Sequence, residues 1–152
     1  MDREVKKVRL SEMLPIITEK ISSGGEVSIP ITGISMYPTL KQGRDYAVLF
    51  KAPEHLKKGD IPFYRRENGQ FVLHRVVGED ENGYILCGDN QTEKEYGVKH
   101  EWIIAILIAV ERDGKRIPIN SSEFLIDNRF HKQKHFIRQN ASRLKRLFRK
   151  KK

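Results

Sequence analysis

Val27, Ile29 and Ile31 alternate with polar or small neighbours, the two-residue period of a strand with one face against a core. Just before it the period is different. Met13, Leu14, Ile17 and Ile21 share one side of a helix, so a helix is predicted over residues 11–21. Ser11 offers a capping hydroxyl, Pro15 lies near enough to the first turn to be tolerated, and Gly24-Gly25 ends the helix. Further on the chain returns to strands: residues 46–50, 61–65, 71–77, 84–87 and 102–112 are β-rich and bounded by Gly, Asn, Asp or Pro. Asn68-Gly69 and Asn82-Gly83 mark two of the gaps as hairpin turns. The apolar run from Trp102 to Val110 is nine residues long. That is about half of the roughly twenty needed to cross a bilayer, so it reads as a buried strand. From Phe130 the helical period returns, with Ile137, Ala141, Leu144 and Phe148 on one side and mostly Lys and Arg elsewhere.

The pattern predicts a mainly β, largely antiparallel fold with a short N-terminal helix and a basic C-terminal helix. At 152 residues the length suits one domain with appendages. The segments are a helical one over residues 1–25, a β domain over 26–120 and a basic amphipathic tail over 121–152. No βαβ alternation, internal repeat or Gly-rich phosphate loop is present, which argues against a nucleotide-binding sheet.

Charge sharpens this division. The formal net charge is +9, yet eleven Lys and Arg residues lie between Arg129 and Lys152, and no acidic residue follows Asp127. Without those eleven the remainder carries −2, so the high pI belongs to the tail, which is suited to an anionic partner. Cys87 is the only cysteine, which excludes an internal disulfide and any cysteine-cluster metal site and favours a reducing compartment. Charges recur every few positions in the first thirty residues, so no signal-peptide core or membrane-spanning helix is expected there. The expected location is cytoplasmic, peripheral to the inner face of the membrane. His131 and His135 share a helical face without a third ligand, and no metal and no cofactor is expected. His55 and His100 read as surface residues, and Cys87 as a small buried hydrophobe.

Two short segments carry chemistry. Ser35 lies two residues after Gly33 and is followed by Met36 and Pro38, so the backbone around it is tightly turned and its hydroxyl need not pack inside a strand. Such a turn can expose a nucleophile and aim its own amide at an oxyanion. His74 stands among Val72, Val76 and their neighbours, where partial burial keeps an imidazole neutral, the state a general base requires. A serine hydroxyl is a poor nucleophile until such a base takes its proton. Asp89, in Gly88-Asp89-Asn90, is the candidate acid that orients the imidazole, with Glu95 in the same loop as a second candidate. Taken singly, the serine reads as a turn residue, the histidine as a core residue satisfied by a carbonyl, and Asp89 as an Asx-turn residue.

Ser35-Met36-Tyr37-Pro38-Thr39-Leu40, then Gly59-Asp60-Ile61, then His74-Arg75-Val76-Val77, then Gly88-Asp89-Asn90, in this order and spacing, resembles the signal peptidase I family and its self-cleaving repressor relatives. The resemblance covers about residues 27–110. It implies a fold of coiled antiparallel sheets, with Ser35 as nucleophile and Gly33, Met36 and Pro38 at the substrate. Common bacterial members carry a lysine base at the second position, whereas endoplasmic-reticulum and archaeal-like members carry histidine; His74 places the likeness with the latter. In that subgroup the aspartate of Gly-Asp-Asn and a further acid support the histidine, which implies those roles for Asp89 and Glu95.

The chain departs from the family pattern in three ways. Gly43-Arg44-Asp45 stands where Gly-Asp is usual, Glu95 stands where the later acid is usually aspartate, and the amino-terminal membrane anchor of signal peptidases is absent from the sequence. The expected activity is serine endopeptidase cleavage of an extended precursor peptide after a small residue. A peptide-binding module without catalysis, or a self-cleaving repressor-like protein, is the alternative. For the tail three readings stay open: an anionic membrane surface, a helix packed on the β body, and nucleic acid, the last disfavoured.

Overall fold

The computed structural model describes residues 9–125 and the isolated helical positions 140, 141 and 145. The first element, α1 (Leu10–Ser22), starts one residue earlier than predicted. Arg9 is the extended N-cap and makes no side-chain cap, and its carbonyl receives the Glu12 amide at 2.9 Å, so Ser11 is a first-turn residue and not the cap. The helix ends as expected, with the Gly25 amide reaching back to the Lys20 carbonyl at 2.8 Å and Gly24 at φ +83°. Ile17 and Ile21 are buried, with Leu10 packed against the same cluster, whereas Met13 is 39 % exposed and does not join that face. The helix is rotated to put the 10–17–21 stripe inward, because that stripe is in step with a 3.6-residue turn.

Among the described residues nine strands follow, all paired antiparallel: β1 (Val27–Pro30), β2 (Asp45–Phe50), β3 (Pro62–Arg65), β4 (Phe71–Leu73), β5 (Arg75–Asp80), β6 (Gly83–Cys87), β7 (Glu95–Val98), β8 (Ile103–Arg112) and β9 (Lys115–Pro118). The fold is mainly β. One sheet runs β1-β2-β8-β3-β4, with β9 added to β8; the other is β5-β6-β7. β8 is the spine of the first sheet. Its apolar run pairs with β2 along Ile106–Arg112, while its opposite edge serves β3 at one end and β9 at the other.

The predicted single strand over residues 71–77 is two strands in two different sheets. Leu73 pairs with Phe63 in the first, Arg75 pairs with Cys87 in the second, and His74 is the one residue between them. Two cores result. Under the first sheet lie Ile17, Ile21, Met36, Leu40, Leu49, Phe63 and Leu107; around the second lie Tyr64, Val72, Val76, Tyr84, Leu86 and Val98. Phe124, 4 % exposed, also joins the first core, so the segment beginning at residue 121 is anchored to the β body at its start. The predicted helix bearing Ile137, Leu144 and Phe148 lies outside the described residues, apart from the helical positions Asn140, Ala141 and Lys145. No helix among the described residues is long and apolar enough to cross a membrane.

Candidate active site

Ser35 occupies a tight turn that leaves β1 and returns toward β2. Gly33 takes φ +76°, a left-handed conformation that a side chain would disfavour, and its amide donates to the Gln42 Oε1 at 2.5 Å. The Tyr37 amide closes on the Ile34 carbonyl at 3.1 Å and the Leu40 amide on the Met36 carbonyl at 2.9 Å; the Tyr37-Pro38 peptide is cis. Met36 and Leu40 are driven into the first core, 4 % and 0 % exposed, and Pro38 is buried too. The Met36 and Pro38 side chains anchor the turn, and what it presents outward is Gly33, Ile34, Tyr37 and the half-buried Ser35. The Ser35 amide makes no hydrogen bond to the described chain.

This turn is fastened to the loop that follows β6. The Asn90 amide donates to the Ser35 carbonyl at 2.9 Å, and the Asn90 Nδ2 donates to the Ile34 carbonyl at 3.1 Å. Gly88 is indispensable to the approach: a Cβ placed there would stand 2.6 Å from the Ser35 carbonyl oxygen. Thr39, 1 % exposed, donates its hydroxyl to the Asp89 carboxylate at 2.5 Å.

His74 stands at the seam between the two sheets. Its residue is only 5 % exposed, and its ring stands edge-on to Tyr64 with centroids 6.5 Å apart. No hydrogen bond joins the imidazole to Ser35 or to any other described side chain, and no buried side-chain polar atom lacks a partner among the described residues. The ring nitrogens therefore open on the adjacent pocket, a cleft of about 680 Å³ lined by Arg66, His74 and the loop from Asn90 to Glu95. Burial lowers the His74 pKa below the ordinary histidine value, and the Arg66 cation lowers it further, while the Glu95 and Asp89 carboxylates pull the other way. Depression wins, so the ring is neutral near pH 7.

Both candidate acids are engaged by arginine. Asp89 receives Arg75 Nε and Nη2, each at 2.8 Å, besides the Thr39 hydroxyl, and Arg75 also donates to the Gly59 carbonyl at 3.2 Å. Glu95 receives Arg66 Nε at 2.9 Å, Arg66 Nη2 at 2.8 Å and the Tyr64 hydroxyl at 2.6 Å. Burial alone would raise the Glu95 pKa; the hydrogen bonds from Arg66 and Tyr64 more than offset it, and the carboxyl ends below its ordinary range. The Tyr64 hydroxyl, buried and facing that carboxylate, is pushed upward and stays protonated. Asp89 and Glu95 thus act on His74 through space, as two negative charges beside a buried ring. Asp45, the displaced acid of the first loop, lies elsewhere: it is 2 % exposed and ties Arg44, Arg112 and the Lys41 amide together.

Thr39, Tyr64, Arg66 and Arg75 belong to this site and carry no local mark in the sequence that singles them out. The nearest signal is that Thr39 and Arg75 stand inside the two motif segments. Among the described residues no group of three His, Cys, Asp or Glu side chains is placed to hold a metal ion, and His131 and His135 lie outside them. No family model matches the chain, and neither a curated protein nor a solved structure matches it.

Proposed function

We propose that the chain is a serine endopeptidase on a signal-peptidase-like fold, with Ser35 as nucleophile and His74 as general base. The observation that carries this reading is the direct fastening of the Ser35 turn to the Gly88–Asn90 loop, which borders the same cleft as a neutral, hydrogen-bond-free imidazole. Ser35 Oγ attacks the scissile carbonyl, His74 removes its proton and then delivers that proton to the leaving amine. The unpaired Ser35 amide is available to the developing oxyanion, and one such donor is worth ~3–4 kcal/mol in other enzymes. The motif resemblance adds the substrate class: an extended precursor peptide, held by strand addition and cut after a small residue. The basic residues from Arg129 onward would bring the enzyme to an anionic membrane surface, at about 1 kcal/mol for each charge near that surface.

A peptide-binding module without catalysis is the second reading. It is favoured by the absence of a Ser35–His74 hydrogen bond and by the engagement of both nearby acids with arginines. Incubation with a peptide library, followed by mass spectrometry, separates the two. The peptidase reading expects cleavage after small residues that disappears in Ser35→Ala and in His74→Asn while both variants keep the circular dichroism of the parent. Binding of peptides without any cleavage, or cleavage that survives Ser35→Ala, refutes it.

A further inference from the structure

Ser35 and His74 are thirty-nine positions apart in sequence, and neither side chain holds the other. Their separation is set by whatever ties the turn to the seam. Three contacts do this from the side of the Gly88–Asn90 loop, and two of them use Asn90, which grips carbonyls at Ile34 and Ser35. The third is different in kind. Thr39 lies at the far end of the turn, is sealed from water, and donates its hydroxyl to an Asp89 oxygen. That same carboxylate is held on its other side by Arg75, the residue immediately after His74. A continuous path thus runs from the serine turn through Thr39, Asp89 and Arg75 to the base.

We infer that Thr39 is a positioning residue of the active centre: its hydroxyl, clamped to Asp89, sets the distance between the Ser35 turn and the strand junction that carries His74. Thr39 touches neither substrate nor reacting atoms in this arrangement, and it acts through Asp89. An isosteric valine would keep the buried volume and the β-branch but offer Asp89 a methyl group. Asp89 would lose that donor while keeping the Arg75 guanidinium, and the turn would lose its side-chain link to the Gly88–Asn90 loop at this end. In enzymes generally a misplacement of about 1 Å costs on the order of a hundredfold in rate, so a contact remote from the nucleophile matters. The inference rests on the peptidase reading.

The test is the acylation of the full chain by a fluorescent β-lactam probe, with kinact and KI measured separately for the parent, Ser35→Ala, Thr39→Val and Thr39→Ser. The expected result is a kinact about 10- to 100-fold lower in Thr39→Val with KI within about threefold, and recovery to within about threefold of the parent in Thr39→Ser, which retains the donor. A role confined to packing predicts the reverse order, because valine fills the site and serine leaves a methyl-sized void. Thr39→Val reacting at the parent rate, or Thr39→Ser losing as much as a donor-free variant, overturns the inference while leaving Ser35 as nucleophile. The serine comparison holds even where Thr39→Val does not fold. A parent that is not acylated, or acylation that persists in Ser35→Ala, instead refutes the peptidase reading and this inference with it.

Discussion

Arg66 and Glu95 are opposite charges bound to each other beside one buried imidazole, so removing either partner should move His74 in opposite directions. Their pairing is bidentate at 2.9 and 2.8 Å, with side-chain exposures of 27 % and 25 %. Arg66→Met keeps the aliphatic stem and deletes the guanidinium. Truncating one partner of a fully buried pair costs ~3–5 kcal/mol, and with a quarter of each side chain still in water the expected loss is about 1–2 kcal/mol. For a chain of this size that lowers Tm by roughly 3–8 °C. The electrostatic consequence is sharper. Burial, the main cause of the depressed His74 pKa, stays in place, but the second depressing influence disappears while the Glu95 and Asp89 charges remain, so the His74 pKa rises. In Glu95→Gln the sign reverses: a carboxylate that favoured the imidazolium is lost, the Arg66 cation remains, and the His74 pKa falls. The assay is an NMR titration of the histidine rings, with His74 assigned by its absence in His74→Asn, run beside the pH profile of acylation. On the proposed mechanism, in which His74 acts as a base, the acidic limb of that profile should move to higher pH in Arg66→Met and to lower pH in Glu95→Gln. Shifts of the same sign in both variants, or an unmoved ring, would refute the electrostatic account of the site.

Two further outcomes follow from the same geometry. Gly88→Ala should cost about 1–3 kcal/mol and slow acylation of Ser35, because its Cβ would stand 2.6 Å from the Ser35 carbonyl oxygen; a variant matching the parent in melting and labelling would show that the turn is not held there. Asp45→Asn should cost roughly 2–4 kcal/mol and change the acid limb of stability. Burial would raise the Asp45 pKa, but hydrogen bonds from Arg44, Arg112 and the Lys41 amide leave it lowered from 3.8. Its contribution is therefore present above about pH 3.8 and lost as pH falls through the lower folded value, and urea titrations from pH 5 to 2 should show a shallower decline in Asp45→Asn than in the parent.

Much of the β framework was legible because strand burial is a local property. Val72, His74 and Val76 are all buried, as their alternation implies; Asn68-Gly69 lies in the turn between β3 and β4, and Asn82 lies in the two-residue turn between β5 and β6, with Gly83 opening β6. What alternation does not carry is the identity of the partner strand. It continues unbroken through residue 74 while the hydrogen bonds change from Phe63 to Cys87, so a change of sheet is invisible to it. β7 and β9 were missed for a related reason: Glu95–Val98 and Lys115–Pro118 are four residues each and bury a single side chain apiece, Val98 and Ile117. Within the site, Ser35 and His74 stand out because their residue types are unusual in their surroundings. Arg66, Arg75, Tyr64 and Thr39 do not, since their meaning comes from carboxylates fourteen to fifty positions away. Met36 is claimed by the first core, a burial that its place in a Gly/Pro turn does not announce.

The junction between the sheets explains why such a site forms here at all. A residue inside a ladder has its backbone direction set by two neighbouring strands, and its side chain points into a packed face. His74 belongs to neither ladder, lying after the last pair of one sheet and before the first of the other. Extending the antiparallel register of Arg75 with Cys87 by one step puts Gly88 across from it. Gly88 in turn has no side chain to keep the Ser35 carbonyl away. The Ser35 turn is therefore joined to the end of β6 over a single glycine, with Asn90 gripping the turn and Asp89 tied to both Thr39 and Arg75. Slipping the β5–β6 pairing by one residue would set Asp89 across from His74 and turn its carboxylate to the other face, away from Thr39. The register of one short hairpin, with the buried Val76 and Leu86 pair in it, thus sets Gly88 in line with His74 and against the Ser35 carbonyl.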